Sequence, residues 1–240
     1  MKVVETKQNI SNSYEGLGID IEGELVPIAT VTMNTSSRPI FFENHILLWR
    51  NPQVTITAKV LSKGLGKRIL AGLPVIITQA QGSGKVAFSR EATVQFRLFE
   101  LADGEQLDIR EHQFLFATDS IEYSYFRVKG MTSLLFGGTG FFIDTFKGPG
   151  IVAVYGYGNI LEKALEVGEQ IDVEPGAFLY KEESVKMEMT QIQAKSGFFG
   201  GQSFFLNRFT GPGKLGIQSM TYSQHLMQAS ERGSSFSIGT

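Results

Sequence analysis

FGGTGFFIDTFKGPG, at Phe136 to Gly150, is the stretch that decides the fold, because FGGQSFFLNRFTGPG repeats it at Phe199 to Gly213. Nine of the fifteen positions are identical at an offset of 63 residues, whereas about one match is expected by chance at ordinary composition. Self-similarity at a fixed period is typical of folds built from repeated structural units. The repeat therefore takes precedence over any single short motif.

A second segment repeats outside this stretch. Gly104–Ile109 reads GEQLDI and Gly168–Val173 reads GEQIDV, at an offset of 64 residues. A weaker copy in residues 65–89 aligns Gly82-Ser83-Gly84 with Gly148-Pro149-Gly150. A further faint copy aligns Ile40, Phe42, His45, Leu47-Leu48-Trp49 and Val54 with Leu107, Ile109, His112, Phe114-Leu115-Phe116 and Ile121. The sequence therefore predicts three degenerate copies of one unit of about 65 residues.

The order of the copies predicts a single domain over residues 1–240. It runs as a half unit at about 16–60, whole units at about 61–129 and 130–195, a half unit at about 196–228, and a loose C-terminal tail at 233–240. We expect the two half units to complete each other and to close a pseudo-threefold body.

Short stretches that alternate apolar and polar residues, such as Val54–Thr57 and Val185–Thr190, have the two-residue period of half-buried strands. Turn residues such as Asn51-Pro52 and Asp103-Gly104 recur every 8–12 residues. Many short strands with frequent turns are typical of a sandwich or a barrel. The sequence therefore predicts an all-β, antiparallel, sandwich- or barrel-like body.

One stretch resembles a helix more than the others. Residues Leu161–Val167 read LEKALEV, but their repeat partner, Val94–Leu101, alternates as a strand does. We therefore predict both as strands.

A small residue recurs at one position of the repeat. Ala87, Ala153 and Gly216 are each flanked by branched or bulky residues. A close approach of backbones at a shared axis explains this, and so does ordinary strand alternation with a small residue on the crowded face. The sequence leaves both explanations open.

The composition excludes several functional classes. The chain has 240 residues, no cysteine, a formal net charge of −2 and a pI near 6.0. Disulfides, thiolate nucleophiles and cysteine zinc sites are excluded, and a reducing compartment fits. The 22 basic residues are scattered, so no nucleic-acid binding is expected. The first sixteen residues resemble neither a signal nor a transit peptide, and no apolar run could span a bilayer. We expect a soluble, cytoplasmic protein.

Gly82-Ser83-Gly84-Lys85 resembles the end of a phosphate-binding loop. That motif requires glycine at position 79 and serine or threonine at position 86, where this chain has Gln79 and Val86. The segment is better explained as a turn of the repeat.

Two pairs of carboxylates, Glu105 with Asp108 and Glu169 with Asp172, recur at equivalent turns. A spacing of three residues places the members of a pair on opposite faces of a strand. Their repetition favours a structural role, such as hydrogen bonding within the turn, over acid–base catalysis.

The histidines are His45, His112 and His225. His45 and His112 are repeat equivalents, but Gly176 stands at the corresponding position of the next copy, which excludes a three-histidine site made by the repeat. The sequence predicts no catalytic, cofactor-binding or metal-binding residue and no cofactor, and it assigns no ligand-binding residue.

The 19 phenylalanines are more than a domain of this length needs. Phe141-Phe142 and Phe204-Phe205 are consecutive, so on a strand one ring of each pair faces away from the inner layer. A second layer of the fold or a partner must cover that ring. We expect a homo-oligomer.

The repeated Gly-Gly-x-x-Phe-Phe and Phe-x-Gly-Pro-Gly pattern, the Gly-Glu-x-Leu/Ile-Asp segment and the stretch His45–Pro52 together resemble the altered-inheritance-of-mitochondria (mitochondrial biogenesis) family, over about residues 15–225. The resemblance implies an all-β fold of the tryptophan-RNA-binding attenuation protein-like superfamily and a tendency to oligomerise. It implies a bacterial-type member and supplies no catalytic residue. Tryptophan or RNA binding would be analogy of fold alone.

Two functions remain after these exclusions. The leading hypothesis is a non-enzymatic scaffold or interaction protein that works as a homo-oligomer with an unknown protein partner. The alternative is a module that binds a small ligand or a lipid surface, with peripheral membrane contact left open.

Overall fold

The computed structural model describes residues 1–4, 10–58, 77–128, 142–193 and 203–221. The chain divides into two compact units, Met1–Tyr155 (unit 1) and Gly156–Thr240 (unit 2). One domain over residues 1–240 stays a prediction, and the tail at 233–240 lies outside the described residues.

Unit 1 consists of short strands and one turn of 3-10 helix in its described part. The strands are β1 (Lys2–Val4), β2 (Ile10–Tyr14), β3 (Leu17–Glu22), β4 (Ile28–Met33), β5 (Ile40–Glu43), β6 (Leu47–Arg50), β7 (Val54–Ala58), β8 (Ile77–Gly82), β9 (Gly84–Phe88), β10 (Val94–Leu101), β11 (Gln106–Arg110), β12 (Phe114–Thr118), β13 (Glu122–Arg127) and β14 (Phe142–Lys147), and the 3-10 turn η1 is Asn44–Ile46. Strand β15 (Gly150–Tyr157) begins in unit 1, and its last two residues belong to unit 2.

Unit 2 has the same kind of structure. Its elements are β16 (Ile160–Leu165), β17 (Gln170–Val173), the 3-10 turn η2 (Pro175–Ala177), β18 (Phe178–Glu182), β19 (Lys186–Gln193), β20 (Ser203–Thr210) and β21 (Gly213–Gln218). The all-β, antiparallel prediction is confirmed. The stretch that resembles a helix contributes to β16, and its repeat partner Val94–Leu101 forms β10, so both strand predictions are confirmed.

From β4 onward, the described strands fall into three sets of six that share one order of partners. In unit 1, β4 and β6 pair with β9, while β5 and β7 pair with β8. The next set pairs β10 and β12 with β15, and β11 and β13 with β14. In unit 2, β16 and β18 pair with β21, and β17 and β19 pair with β20. In each set the first and third strands join the sixth, and the second and fourth join the fifth.

Strands β5, β6 and β7 pair with β8 and β9. The predicted unit boundaries, at residues 60/61, 129/130 and 195/196, lie outside the described residues. The division into a half unit, two whole units and a half unit therefore stays a prediction.

Many of the phenylalanines belong to the core of unit 1. The rings of Phe42 and Phe88 have centroids 4.8 Å apart, and Phe88 stacks on Phe116 at 5.4 Å. Phe114 and Phe146 form a similar tilted pair at 5.1 Å, within the distances that favour aromatic pairs. Of the consecutive pairs, Phe142 is buried and Phe205 is half-buried, while Phe141 lies outside the described residues.

The recurring small residue makes room for an aromatic ring. In all three sets the third strand has an irregular register, and its aromatic residue lies opposite the small residue of the sixth strand. The pairs are Trp49 with Ala87, Phe116 with Ala153, and Tyr180 with Gly216. At Gly216 an added β-carbon would lie 2.1 Å from Cε1 of Tyr180, so the crowded neighbour at this position is a side chain on the adjacent strand.

Candidate functional site

The glutamates singled out in the sequence act within turns. Glu105 Oε2 accepts a hydrogen bond from the backbone N–H of Ala102 at 2.9 Å. Glu169 Oε2 accepts the equivalent bond from Glu166 at 2.8 Å. The predicted role in turn hydrogen bonding is therefore confirmed for both glutamates.

The aspartates of the same pairs lie in strands. Asp108 is buried, and its Oδ1 accepts hydrogen bonds from Gln106 Nε2 and Thr145 Oγ1, both at 2.9 Å. Asp172 forms a two-pronged ion pair with Arg208, with both N–O distances at 2.7 Å. The hydrogen bonds from Arg208 lower the pKa of Asp172. Each aspartate therefore contributes to cross-strand structure.

The segment that resembles a phosphate-binding loop is a tight turn between β8 and β9. Gly82 and Gly84 have backbone φ angles of 120° and 139°, which L side chains rarely adopt. The predicted turn is confirmed, and the glycines are explained by its backbone.

The structure brings together two histidines that the sequence treated as separate. Glu43, at the end of β5, is fully buried, and its Oε2 lies 3.3 Å from Nδ1 of His45 and 3.4 Å from Nδ1 of His112. His45 lies in η1, and His112 lies in the turn between β11 and β12. We call Glu43, His45 and His112 the His–Glu–His cluster. His225 lies outside the described residues.

Within the described residues, Oε1 of Glu43 has no hydrogen-bond partner. A buried carboxylate is strongly disfavoured unless charge or hydrogen bonds compensate it. The contacts with the two imidazoles therefore compensate for the burial of this side chain, and both contacts are made by its other oxygen, Oε2.

The two imidazoles respond differently to the same carboxylate. Burial acts to lower the pKa of His112, but the hydrogen bond with Glu43 and the charges of Glu43, Glu111 and Asp144 raise it above its ordinary value. Burial lowers the pKa of His45; Glu43 opposes this shift, and the positive charges of Arg90 and His112 add to it. A proton that enters the cluster therefore binds to His112 first.

The backbone of His112 is held in an unusual conformation. Its φ angle is +61°, in the left-handed region that non-glycine residues rarely occupy. The hydroxyl of the buried Tyr155 donates a hydrogen bond to the carbonyl oxygen of His112. This bond anchors the backbone of the turn that carries the imidazole.

Sequence reasoning missed the cluster because Glu43 belongs to no repeated motif. The cluster becomes apparent only from the pairing of β5 with β12, in which Phe41 lies opposite Ala117 and Ile40 lies opposite Thr118. This pairing brings the end of β5 close to the turn before β12, where Glu43 contacts both histidines.

A cavity of about 380 Å³ adjoins the cluster. It lies between η1 and β6 on one side and residues 89–91 on the other, and His45 belongs to both the cavity and the cluster. Its lining residues are Val26, His45, Ile46, Leu47, Leu48, Ser89, Arg90 and Glu91.

The strand beside this cavity exposes apolar side chains. Among the described strands, β6 lies at the edge of the sheet β2-β3-β4-β9-β6, and Leu48 and Trp49 are 51% and 42% exposed. The corresponding residues of the other sets, Leu115, Phe116, Leu179 and Tyr180, are all fully buried. β12 differs from β6 because it pairs with strands on both sides, β15 and β5.

The described part of the chain contains neither a candidate metal site nor a candidate membrane-spanning helix. No group of three histidine or acidic side chains there is arranged to hold a metal ion. No helix there combines the length and the apolar character needed to cross a bilayer.

Comparisons with known proteins identify the family. The model of a family described as mitochondrial biogenesis AIM24 matches residues 19–220. The X-ray crystal structure of a Streptococcus pyogenes protein is similar, with a TM-score of 0.69 and 21% identity, over 90% of this chain and 98% of that chain. At this identity the likeness shows the fold alone. None of the curated proteins matches the chain. Because the family model spans most of its length, the chain belongs to the mitochondrial biogenesis AIM24 family.

Proposed function

We propose that this member of the mitochondrial biogenesis AIM24 family is a non-enzymatic interaction protein, and that two copies associate through the edge of β6. The observation that carries the proposal is the exposure of Leu48 and Trp49, at 51% and 42%. An edge strand presents unpaired backbone groups that template pairing with another strand. Exposed apolar side chains on the same strand add the burial that holds such a pair together.

A second copy fits this edge for reasons of symmetry. Two β6 strands that pair antiparallel around a twofold axis place the same surface on both partners. Val26, which is 50% exposed, lines the same cavity as Leu48. The apolar surface therefore extends beyond the strand itself and enlarges the area that association covers.

Light scattering at micromolar concentration tests the association. We expect the wild-type protein to have the mass of a dimer or a larger assembly, and Leu48→Lys to have the mass of a monomer. Leu161→Lys is the matched control, because Leu161 is 57% exposed on β16. A monomeric wild-type protein, or a Leu48→Lys variant that associates as the wild type does, would contradict the proposal.

We further infer that the three sets of strands are three copies of one unit, of the kind found in the tryptophan-RNA-binding attenuation protein-like superfamily. The shared order of strand partners and the aromatic residue opposite a small one in every set support this inference. We place the protein in the cytoplasm because a chain with no cysteine suits a reducing compartment; cell fractionation tests this placement.

The cavity beside His45 favours a second function, the binding of a small amphiphilic ligand. Its volume of about 380 Å³ lies in the range of about 300–1,000 Å³ that small-molecule sites occupy. It combines apolar walls with a few polar groups, which is the usual composition of such sites.

A further inference from the structure

His45 lies at the border of the surface that the proposed association covers. It belongs to η1, and only Ile46 separates it from β6. It also lines the cavity whose wall includes Leu48, and its side chain is 36% exposed. We propose that acid reverses the association through β6, and that His45 is the group whose protonation reverses it. This inference rests on the proposed function and adds the regulation of the same surface.

The groups that set the charge of His45 belong to three elements of the described structure. They are Glu43 at the end of β5, His112 in the turn before β12, and Arg90 and Glu91 in the segment after β9. Nδ1 of His45 lies 3.3 Å from Oε2 of Glu43, and Nδ1 of His112 lies 3.4 Å from the same atom. One carboxylate oxygen is therefore shared by two imidazoles.

Only one of these imidazoles has surroundings that favour a proton. Burial acts to lower the pKa of His112, but the carboxylates around it raise that pKa above its ordinary value. Burial lowers the pKa of His45, and the positive charges of Arg90 and His112 add to this shift. Glu43 opposes it. A proton on His45 therefore places a second cationic ring beside one carboxylate, and this cation depends on solvation by water.

Association removes that water. A strand that covers Leu48 also closes the mouth of the cavity that His45 shares with it. A charged imidazole loses more solvation free energy than a neutral one when water is excluded. The associated form of the protein therefore favours the neutral ring more strongly than the free form does.

A second copy also brings positive charge to the His45 end of β6. In an antiparallel pair of strands, the start of one strand lies beside the end of the other. β6 ends at Arg50, whose Nη1 donates to the carbonyl oxygens of Asn51 and Pro52, both at 3.2 Å. These bonds hold the guanidinium at the end of its strand. It therefore approaches η1 of the other copy and disfavours a protonated His45 there.

The direction of the pH effect follows from these two contributions. Because the free protein binds a proton on His45 more readily than the associated protein, lowering the pH stabilises the free form. The association has its full strength above pH 6.5 and weakens as the pH falls through the pKa of His45, which lies below 6.5. Two copies take up one proton each, so the dissociation constant of a dimer rises by up to about hundredfold per pH unit.

Sedimentation velocity over a dilution series between pH 7.5 and pH 5.0 tests the proposal. We expect the dissociation constant of the wild type to be at least about tenfold higher at pH 5.0, and His45→Gln to show no such rise. His112→Asn is the matched control, because it alters the other imidazole on the same carboxylate oxygen. It removes a positive charge beside His45, so its association is expected to weaken at a higher pH than that of the wild type.

Calorimetry on the wild type keeps the test valid if a variant fails to fold. The heat of dissociation on dilution at pH 6.0 is measured in two buffers that differ in their enthalpy of ionisation. We expect the difference to show an uptake of up to about one proton per copy. Dissociation without proton uptake would overturn the proposal.

The outcomes separate this inference from the association on which it rests. If the wild type is a monomer at pH 7.5, the association fails and its regulation fails with it. If the dissociation constant is the same at pH 7.5 and pH 5.0, the association stands and only the regulation fails. A parallel rise in His45→Gln would show that another group is responsible. Near-UV circular dichroism distinguishes dissociation from unfolding, and loss of the fold before dissociation would also refute the proposal.

Discussion

The ring of Tyr180 occupies the space above Gly216, where a β-carbon would lie 2.1 Å from the ring atom Cε1. The two residues are opposite each other in the pairing of β18 with β21. Tyr180 cannot move away freely, because its ring is fully buried and its hydroxyl donates to Glu162 Oε2 at 2.9 Å. The glycine is therefore required by its neighbour's side chain.

Gly216→Ala is expected to lower the free energy of unfolding by about 1–3 kcal/mol, because overpacking a core displaces side chains and backbone. Chemical denaturation measures the loss. Gly18→Ala is the control, since its β-carbon would meet Thr32 Cβ at 3.4 Å, an ordinary contact. If the two substitutions lower the free energy of unfolding equally, the Tyr180 ring moves aside without an energetic penalty.

The His–Glu–His cluster predicts a pH dependence with a definite sign. The pKa of His112 is raised above 6.5, so its stabilising effect is complete below pH 6.5 and is lost as the pH rises through the folded-state pKa. His112→Asn removes this titration, and asparagine tolerates the left-handed backbone. The difference in unfolding free energy between wild type and His112→Asn is expected to be larger at pH 5.5 than at pH 8.

His45→Asn is the companion variant, with the opposite trend. The pKa of His45 is lowered, so protonation opposes folding as the pH falls below 6.5. The wild type is expected to lose stability relative to His45→Asn between pH 8 and pH 5.5. Parallel pH profiles for the two variants would refute the division of roles between the imidazoles.

Tyr155→Phe removes the hydrogen bond that holds the His112 turn. We expect a loss of about 1 kcal/mol in the free energy of unfolding, the usual contribution of one such bond, measured by urea denaturation. Tyr14→Phe, on the edge strand β2, is expected to change stability by less than about 0.5 kcal/mol. If Tyr155→Phe matches this control, the hydroxyl has no role in fixing the turn.

Asn207 offers a substitution that is expected not to harm the fold. It is fully buried on β20, and neither its Oδ1 nor its Nδ2 has a hydrogen-bond partner among the described residues. Replacing it with leucine, which has a similar shape, is expected to leave stability unchanged or raise it by about 1–3 kcal/mol, the penalty of an unsatisfied buried polar group.

Asp144→Leu is the contrasting variant in unit 1. Asp144 is equally buried, but its Oδ1 accepts a hydrogen bond from the Tyr123 hydroxyl at 2.8 Å. Thermal unfolding is expected to show a lower melting temperature for Asp144→Leu and no decrease for Asn207→Leu. A marked decrease for Asn207→Leu would mean that its amide has a partner.

The sequence predicted the strands well because two local signals agreed. Alternation identified stretches such as Val54–Thr57, which lies in β7, and the repeat decided the ambiguous stretch that contributes to β16, since its partner alternates clearly. The turn roles of Glu105 and Glu169 also followed from repetition. These features depend on neighbouring residues along the chain, and the sequence displays them directly.

The candidate site could not be predicted in the same way, because it depends on contacts between distant strands. Glu43 is separated by 69 residues from His112, whose imidazole it meets. Leu48 has the same apolar character as its buried counterpart Leu115, and only the strand partners distinguish the two. A repeated pattern in the sequence shows what equivalent residues have in common. It does not show that their strands have different neighbours, and this site depends on that difference.

The pairing of β5 with β12 has a consequence for the design of a binding peptide. Ile40 and Phe41 lie opposite Thr118 and Ala117. With β5 as a neighbour of β12, Phe116 on β12 is fully buried. A short strand laid along β6 would give Trp49 the covering that Phe116 already has. An extended peptide that pairs with β6 is therefore expected to bury Trp49 and to block association through this edge.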